Sequence, residues 1–332
     1  MNGLTRRDLV AGSLTTGLLA ASGAPGYALA QAPLRQARIV IGFPAGSGGD
    51  VLCRLFAEKM RGNYAQAVIV ENKSGAAGRI GMDQVTAAPP DGASLLFTPT
   101  SVLTLYPHIY KKLSYDPFVD LIPLSRAATV TFALAVGPMV PAGVRDLWQF
   151  LAWCRRNPTQ ASFGSPGTGS SPHFLGATLA KAASAPLNHV PYRGTSAAVT
   201  DVLGGQIAAV MVSPGNVTRY AKTGQLRILA VTSPKRWELL PEVPTMVELG
   251  YPQVTNVEQF AFFIRKGTDA ALVDRAAASI RAAASLPDVV KTLAELDMKV
   301  EPSRSADLAQ SLRTEYERWG EIVKNVGFTA QD

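Results

Sequence analysis

Three loops of small and hydroxyl-bearing residues could bind an anion through their backbone. The first, Phe43–Asp50 (FPAGSGGD), lies between an apolar run and a segment with helical spacing. The beginning of a helix leaves N–H groups without acceptors at the positive end of the helix dipole, so such a loop needs no basic side chain to hold an anion. We expect Asp50 mainly to cap this helix. The predicted ligand-binding residues of this loop are Phe43, Ala45, Gly46, Ser47, Gly48 and Asp50.

The second loop, Ser165–His173 (SPGTGSSPH), also leads from a strand into a helix and is richer in hydroxyl groups. It does not form a serine-hydrolase elbow, because that turn needs Gly-x-Ser-x-Gly and Phe163 stands where the first glycine belongs. His173 could act as a base, but no Asp or Glu is near it in sequence, which favours a structural histidine. The predicted ligand-binding residues of this loop are Ser165, Gly167, Thr168, Gly169, Ser170 and His173.

The third segment is Pro191–Ser196 (PYRGTS), which Asp201 follows on the next predicted helix. Two interpretations of Asp201 stay open. It is either a solvated helix acid, or a carboxylate at the mouth of a cleft that pairs with an ammonium group on the ligand. The predicted ligand-binding residues here are Tyr192, Arg193, Gly194 and Asp201, to which we add Ser101 after the third predicted strand.

Other chemistries fit this sequence poorly. A dinucleotide site would use Gly46 and Gly48 with Glu71 as the ribose-binding acid, but Val51 stands where the third small residue belongs. The three His and two Cys lack metal-ligand spacing, and the Lys and Arg residues form no basic stripe with interleaved aromatics. We therefore predict no cofactor, no metal and no nucleic-acid partner.

The elements around these loops alternate between strand and helix, which is typical of parallel sheets covered by helices. Two such runs, separated by the apolar stretch Ala127–Val136, indicate two α/β lobes. The predicted strands are Ala37–Gly42, Ala67–Glu71, Ser94–Thr98, Ala161–Gly164, Leu187–Pro191 and Ala208–Val212. The predicted helices include Leu147–Arg156, Phe174–Ala183, Thr195–Leu203, Ala270–Ala284 and Ala306–Asn325, the last with a buried stripe of Leu308, Leu312, Trp319 and Val323.

The composition suits a folded chain of about two domains. Of 332 residues, 47% are hydrophobic and 17% are charged, which excludes a disordered chain. Two cysteines cannot build a disulfide scaffold, and Cys53 and Cys154 each stand among apolar neighbours, so we favour buried thiols over a disulfide between them. The formal net charge of +7 favours an anionic partner without choosing among nucleic acid, small anion and membrane.

The first thirty residues predict an export signal. Arg6 and Arg7 precede an apolar stretch from Val10, and Ala28-Leu29-Ala30 matches a cleavage site. The adjacent arginines indicate twin-arginine export, and we place cleavage after about Ala30. An uncleaved membrane anchor over 10–30 is the alternative, which the small-residue content disfavours. We expect a mature periplasmic protein.

The order of short motifs resembles the substrate-binding receptors of tripartite tricarboxylate transporters, the Bug or TctC-like family. The matching segments run in order from Arg38 to Phe328: FPAGSGGD, VIVENKSGAAGRIG, APPDGASLLF, YKKLSYDP, SFGSPGTGSSPH, VPYRGTSAAVTDVLGGQ, LRILAVTSPKR and LPEVPTMVELGYP. The match departs at Ala45 and Ser47, where the family commonly has Pro and Gly.

This resemblance implies a type II periplasmic-binding-protein (Venus-flytrap) fold of two lobes, each a sheet flanked by helices. Lobe one would comprise residues 32–131 and 255–332, and lobe two residues 132–254. The lobes would close on a small carboxylate, held mostly by backbone N–H groups and waters, and deliver it to membrane permease subunits. The receptor would be a monomer without catalysis; an exported enzyme and a ligand sensor for a signalling partner are the competing classes.

Overall fold

The computed structural model describes residues 34–329, so the predicted export signal lies outside the described residues. The strands are β1 (Leu34–Ile41), β2 (Ala65–Asn72), β3 (Ser94–Pro99), β4 (Leu121–Thr131), β5 (Ala133–Val136), β6 (Ser162–Ser165), β7 (Asn188–Pro191), β8 (Ala209–Val212), β9 (Arg227–Val231), β10 (Val257–Arg265) and β11 (Lys299–Val300). The helices are α1 (Gly48–Met60), α2 (Arg79–Ala87), α3 (Ser101–Thr104), α4 (Tyr106–Ile109), α5 (Leu147–Arg156), α6 (Ser171–Ala182), α7 (Thr195–Leu203), α8 (Thr218–Lys222), α9 (Ala270–Ala284), α10 (Pro287–Glu295) and α11 (Ser305–Val326).

The strands form two sheets. The six-stranded sheet, here sheet A, has the order β11-β4-β10-β3-β1-β2, and the five-stranded sheet B has the order β7-β6-β8-β5-β9. The α/β class with two sheets flanked by helices is confirmed. Parallel pairing is confirmed for the strands of the two predicted runs, because β1 pairs in parallel with β2 and β3 and because β6 pairs in parallel with β7 and β8. Each sheet as a whole is mixed, because β10 runs antiparallel to β3 and β4 and because β5 runs antiparallel to β8 and β9.

The chain's passages between the sheets explain these antiparallel strands. Strand β4 belongs to sheet A and β5 to sheet B, with only Phe132 between them. A strand that arrives from another sheet does not follow the right-handed helical crossover that makes neighbours parallel. The Thr232 hydroxyl accepts from the Phe132 N–H at 3.0 Å and donates to the Asn256 carbonyl oxygen at 2.7 Å, so hydrogen bonds join the passages. The lobe boundaries stay a prediction.

The buried core lies on both sides of the sheets. In sheet A the Phe97 and Phe262 rings are 4.7 Å apart between centroids, and Phe56 from α1 packs 5.4 Å from Phe262. The predicted stripe of α11 is confirmed, because Leu308, Leu312, Trp319 and Val323 are all buried. Cys53 and Cys154 are also confirmed as buried free thiols. Among the described residues, no helix has both the length and the hydropathy that crossing a bilayer requires.

Candidate ligand site at the strand–helix loops

The first loop is held in place by Asp50 from inside. Its carboxylate is only 2% exposed. It accepts the Gly46 N–H at 2.9 Å, the Arg54 Nε–H at 2.9 Å and the Asn72 amide at 2.8 Å. Burial would raise the pKa of Asp50, but these hydrogen bonds hold it below its usual range. The expectation that Asp50 caps α1 is wrong in detail: the N-cap is Ser47, whose hydroxyl accepts the Asp50 N–H at 3.2 Å.

The outer surface of this loop is backbone. Ala45, Gly46 and Gly48 are exposed. Helix geometry leaves the N–H groups of Gly48 and Gly49 without an intrahelical acceptor at the positive end of α1. Gly46 has φ +80°, and a Cβ built there would meet nothing within 4 Å, so the backbone is accessible as well as left-handed. The arrangement offers amide donors to a small anion.

A second turn beside this loop was missed by the sequence reasoning. Four consecutive residues from Gly75 to Gly78 have positive φ, including Ala76 at 46° and Ala77 at 55°. Non-glycine residues rarely adopt this conformation, and such strain concentrates at functional sites. The turn packs so closely that a Cβ at Gly42 would lie 2.4 Å from the Gly78 carbonyl oxygen. The glycines in SGAAG were the available signal.

The strained turn also connects the first loop with the beginning of α3. A Cβ built at Gly78 would lie 3.2 Å from the Phe43 ring and 3.7 Å from Val102. The Tyr106 hydroxyl donates to the Ala77 carbonyl oxygen at 2.9 Å. Ser101, the predicted ligand residue, lies at this position and is nearly buried, and its N–H donates to a Glu258 carboxyl oxygen at 3.1 Å. The Ser101 amide is therefore already engaged within the protein.

The second loop satisfies most of its own polar groups. The hydroxyl of Ser170 caps α6 and also donates to the Gly167 carbonyl oxygen at 2.8 Å. Ser165 is fully buried, and its hydroxyl lies 2.7 Å from Nε2 of His189. The Gly169 N–H donates to Nδ1 of His173 at 3.2 Å. The second loop therefore presents fewer free donors than its sequence suggests.

After the strained turn, His189 is another feature of the site that the sequence did not predict. Its ring stacks on His173 with centroids 3.9 Å apart. Burial lowers the pKa of both His173 and His189 to about 4, so both rings are neutral at pH 7. This arrangement fits the structural role expected of His173. No sequence signal links the pair, because His173 lies on α6 and His189 on β7.

The third segment lies directly against the second loop. The Tyr192 N–H donates to the Ser165 carbonyl oxygen and the Gly194 N–H to the Pro166 carbonyl oxygen, both at 3.1 Å. The Tyr192 hydroxyl donates to Asp201 at 2.8 Å. Burial, followed by this hydrogen bond, raises the pKa of Tyr192 to about 12. Asp201 therefore has an internal partner, the Tyr192 hydroxyl.

The predicted residues belong to one continuous set of contacts. The first loop touches the strained turn, which touches α3 and α4. A Cβ built at Gly169 would lie 2.9 Å from Ile109 at the end of α4, which brings the second loop to the same side. Thr168 and Arg193 are exposed. Two surface cavities of about 260 and 420 Å³ lie elsewhere, beside Phe118 and Arg227 respectively.

Comparisons with known proteins agree with this architecture. The profile of the family described as "Tripartite tricarboxylate transporter family receptor" matches residues 52–328. The chain belongs to this family. A protein from the tcbD–tcbE intergenic region of Pseudomonas sp. (strain P51) is 36% identical over 294 residues, which cover 88% of this chain and 86% of that protein.

Two solved structures share the fold of this family member. The periplasmic binding protein BugD is 29% identical with a TM-score of 0.80, covering 90% of this chain and 100% of that one. The R. palustris protein Rpa4515, solved with adipate, is 25% identical with a TM-score of 0.82, covering 90% and 99%. Members of the family are substrate-binding receptors, so this chain is a receptor and not an enzyme.

Proposed function

We propose that this receptor binds a small carboxylate in a cleft between two lobes, in the periplasm, and delivers it to the permease subunits of a tripartite tricarboxylate transporter. The observation that carries the proposal is the beginning of α1. There the Asp50 carboxylate is turned inward and accepts the Gly46 N–H and Arg54, which leaves the Gly48 and Gly49 N–H groups of the first turn to an outside acceptor. Free N–H groups at a helix beginning favour an anion.

The chemistry of the loops supports a carboxylate more than a cation or a neutral ligand. Backbone N–H groups donate and do not accept, and His173 and His189 are neutral at pH 7. Rpa4515 was solved with adipate, a dicarboxylate. Backbone donors fix one carboxylate, and the far end of the ligand is left to side chains such as Arg193.

The lobes of the proposal are residues 32–131 with 255–332, and residues 132–254. Sheet A draws its strands from the first set and sheet B from the second. Closure around a ligand would exclude water and strengthen each hydrogen bond to it. In this role the first loop and Ser101 belong to lobe one, and the second loop and Tyr192–Asp201 belong to lobe two.

The ligand class is tested by what the protein carries when it is purified. Mild denaturation followed by mass spectrometry should release a small carboxylic acid. Calorimetry of the ligand-free protein with adipate, malate, glutamate and benzoate should then show binding to the class that was released. Release of a cation or a sugar, with no acid bound in calorimetry, would contradict the proposal.

Export is tested on the full-length chain. If residues 1–30 are a twin-arginine signal, replacing Arg6→Lys and Arg7→Lys together should retain the precursor in the cytoplasm. Normal export of this double variant would contradict twin-arginine targeting. Uptake of the labelled acid by a deletion strain separates transport from sensing, because only a transport receptor is needed for accumulation.

A further inference from the structure

One carboxylate connects the beginnings of α3 and α6. Glu258 on β10 is 7% exposed. One carboxyl oxygen accepts the Ser101 N–H at 3.1 Å, and the other accepts the Ser171 hydroxyl at 2.7 Å. Ser101 begins α3 after a strand of sheet A, whereas Ser171 begins α6 after a strand of sheet B. A single side chain therefore joins the two halves of the candidate site.

A second glutamate approaches the same place through Thr100. The Thr100 hydroxyl oxygen lies 3.4 Å from Glu258 Oε1 and 3.0 Å from Glu315 Oε2 on α11. A hydroxyl has one hydrogen, so it can donate to only one of the two oxygens. The shorter contact is the one to Glu315, and a proton on either carboxyl supplies a hydrogen for the second contact.

The burial of both carboxyls favours one proton between them. Glu258 accepts from Ser101 and Ser171, and Glu315 accepts from the Gln259 side-chain amide and the Thr100 hydroxyl, so each carboxyl has two donors. Desolvation raises the pKa of both glutamates, and together with the negative charge of Glu258 it raises the pKa of Glu315 to about 7. The pair therefore holds one proton below about pH 7, and the Thr100 hydroxyl lies between the two carboxyls.

The other charged or titratable groups at this junction have other hydrogen-bond partners, although the positive charge of Arg318 acts on both glutamates and opposes the rise in the Glu315 pKa. These groups are Arg318 on α11, Arg126 on β4, Tyr106 on α4 and His173 on α6. Arg318 donates to the Thr255 carbonyl oxygen and the Asn256 side chain, and Arg126 donates to the Gln259 side chain at 2.9 Å. Tyr106 and His173 bond backbone atoms of Ala77 and Gly169. Within residues 34–329, none of the four hydrogen-bonds either glutamate.

We propose that Glu258 is a positioning residue of the ligand site, and that a relay of Glu315, Thr100 and the one proton that the two glutamates share holds the Glu258 carboxyl so that the beginnings of α3 and α6 stay in fixed register. The relay is a property of the ligand-free protein, and only its effect on affinity rests on the proposed function. When the pair loses this proton, one hydroxyl hydrogen faces two acceptors and two negative charges share a poorly solvated space. The relay therefore weakens at alkaline pH.

The Ser101 amide reports the first bond of this relay directly. In amide hydrogen exchange followed by NMR on the ligand-free protein, Glu258→Ala should speed Ser101 exchange by about tenfold or more, because a bond to a charged acceptor is lost. Glu258→Gln keeps an acceptor and should leave Ser101 close to the wild type. Ser171→Ala should speed exchange only in the first turn of α6. Unchanged Ser101 exchange in Glu258→Ala would overturn the proposal.

The proton is tested separately by carboxyl carbon-13 NMR across pH 4 to 9. One glutamate should titrate with a pKa of about 7, and its signal should be absent in Glu315→Gln. In Glu258→Gln, which tests the relay even if Glu258→Ala does not fold, the Glu315 pKa should fall because the neighbouring charge is gone. A Glu315 that titrates in the ordinary range of glutamate would overturn the relay.

The effect on ligand is measured with whichever acid of the calorimetric panel the wild type binds best. Glu258→Ala should weaken that acid by about tenfold, and Glu321→Ala at an exposed position of α11 should not change it. Equal affinity of Glu258→Ala and the wild type would contradict the positioning role. If the wild type binds no acid, the proposed function fails, and the exchange and titration results still decide on the relay.

Discussion

The beginnings of α1 and α6 follow the same sequence pattern, and the structure uses them differently. At α1 the hydroxyl of Ser47 caps the helix and Asp50 is buried beneath the loop, which leaves the glycine backbone facing outward. At α6 the Ser165 hydroxyl meets His189, and Glu258 occupies the side of the first turn. Both first turns therefore have an internal carboxylate, but Asp50 accepts from Gly46, Arg54 and Asn72 in and beneath the first loop, whereas Glu258 accepts from Ser171 in the first turn of α6 itself.

This difference shows that a glycine-rich loop at the beginning of a helix does not by itself make a backbone anion site. The distant residues that fold onto the loop decide which of its hydrogen-bond donors stay available. Arg54 pairs with Asp50 and Asn72 donates a hydrogen bond to it, so the Asp50 charge is satisfied beneath the first loop. His189 and Glu258 occupy hydroxyl groups of the second loop from other strands. We therefore propose that the ligand carboxylate binds at the beginning of α1.

The largest expected effect is the loss of binding in Gly46→Val. A β-branched residue at φ +80° strains the loop and covers the backbone that faces the anion. We expect affinity for the acid to fall by about a hundredfold or more, which is about 2.7 kcal/mol. Calorimetry measures it.

Gly224→Val is the matched control for this prediction. Gly224 has φ +75°, and a Cβ there would also meet nothing within 4 Å, but it lies between α8 and β9 away from the loops. Both variants should lose similar stability, about 1 to 2 kcal/mol, whereas only Gly46→Val should lose binding. Equal affinity of the two variants would show that the first loop is structural only.

The next effect concerns Asp201 and distinguishes two ligand classes. A charge-assisted contact to an ammonium group contributes about 2 kcal/mol, or about thirtyfold in affinity. Asp201→Asn should therefore weaken an amino acid by that factor and should leave a plain dicarboxylate unchanged or tighter. Asn keeps an acceptor for the Tyr192 hydroxyl, so the fold should not change. A variant that alters neither class would return Asp201 to the role of a surface helix acid.

The stacked histidines of the second loop predict a pH dependence of stability. Their folded pKa of about 4 lies below the unfolded value of 6.5, so their contribution is complete above pH 6.5 and is lost as pH falls toward 4. As the pH falls through this window, the unfolding free energy of the wild type decreases. In His189→Gln it should decrease by about 1.4 kcal/mol less per pH unit, because one titrating group is gone. Parallel pH profiles of the variant and the wild type, from urea unfolding, would contradict neutral burial of His189.

The smallest expected effect is that of Asp50→Asn. The variant keeps the shape of the side chain and loses the negative charge, which accepts hydrogen bonds from Arg54 and the Gly46 N–H. We expect about 1 kcal/mol of lost stability, with a weaker effect below about pH 4, where Asp50 of the unfolded chain takes up a proton before the folded carboxylate does. Asp146→Asn at the N-cap of α5 is the control, because Asn caps a helix as well as Asp does. Equal unfolding free energies of the two variants would contradict the role of Asp50.

Local patterns predicted the elements well. The helix Leu147–Arg156 has the bounds predicted from its spacing, and its Asp146 cap and basic last turn are signals within the segment itself. The helices Thr195–Leu203 and Ala270–Ala284 agree in the same way. The helix Pro287–Glu295 was missed, although Pro287 at its first turn and Asp288 beside it were available as signals.

The parts that the sequence did not predict depend on distant partners. Glu258 is separated from Ser101 by 157 positions and from Ser171 by 87, so no local spacing connects them. His189 lies 24 positions after Ser165 on another strand. The left-handed turn at Ala76 and Ala77 is set by the close approach of Gly42 and Gly78, which only the folded sheet creates. Sequence locates the loops, and tertiary structure decides which of their donors stay available.

The most direct measurement of the central claim is an NMR titration of backbone amides with the acid found on the purified protein. If the ligand carboxylate binds at α1, the Gly48 and Gly49 N–H signals should shift downfield, because their hydrogens gain a charged acceptor. Both shifts should saturate at the ligand concentration that the calorimetric affinity gives. Ser101 should keep its signal, since its N–H already donates to Glu258. Saturating shifts confined to the Thr168 and Ser171 amides, with Gly48 and Gly49 unmoved, would place the carboxylate at α6 and contradict the account.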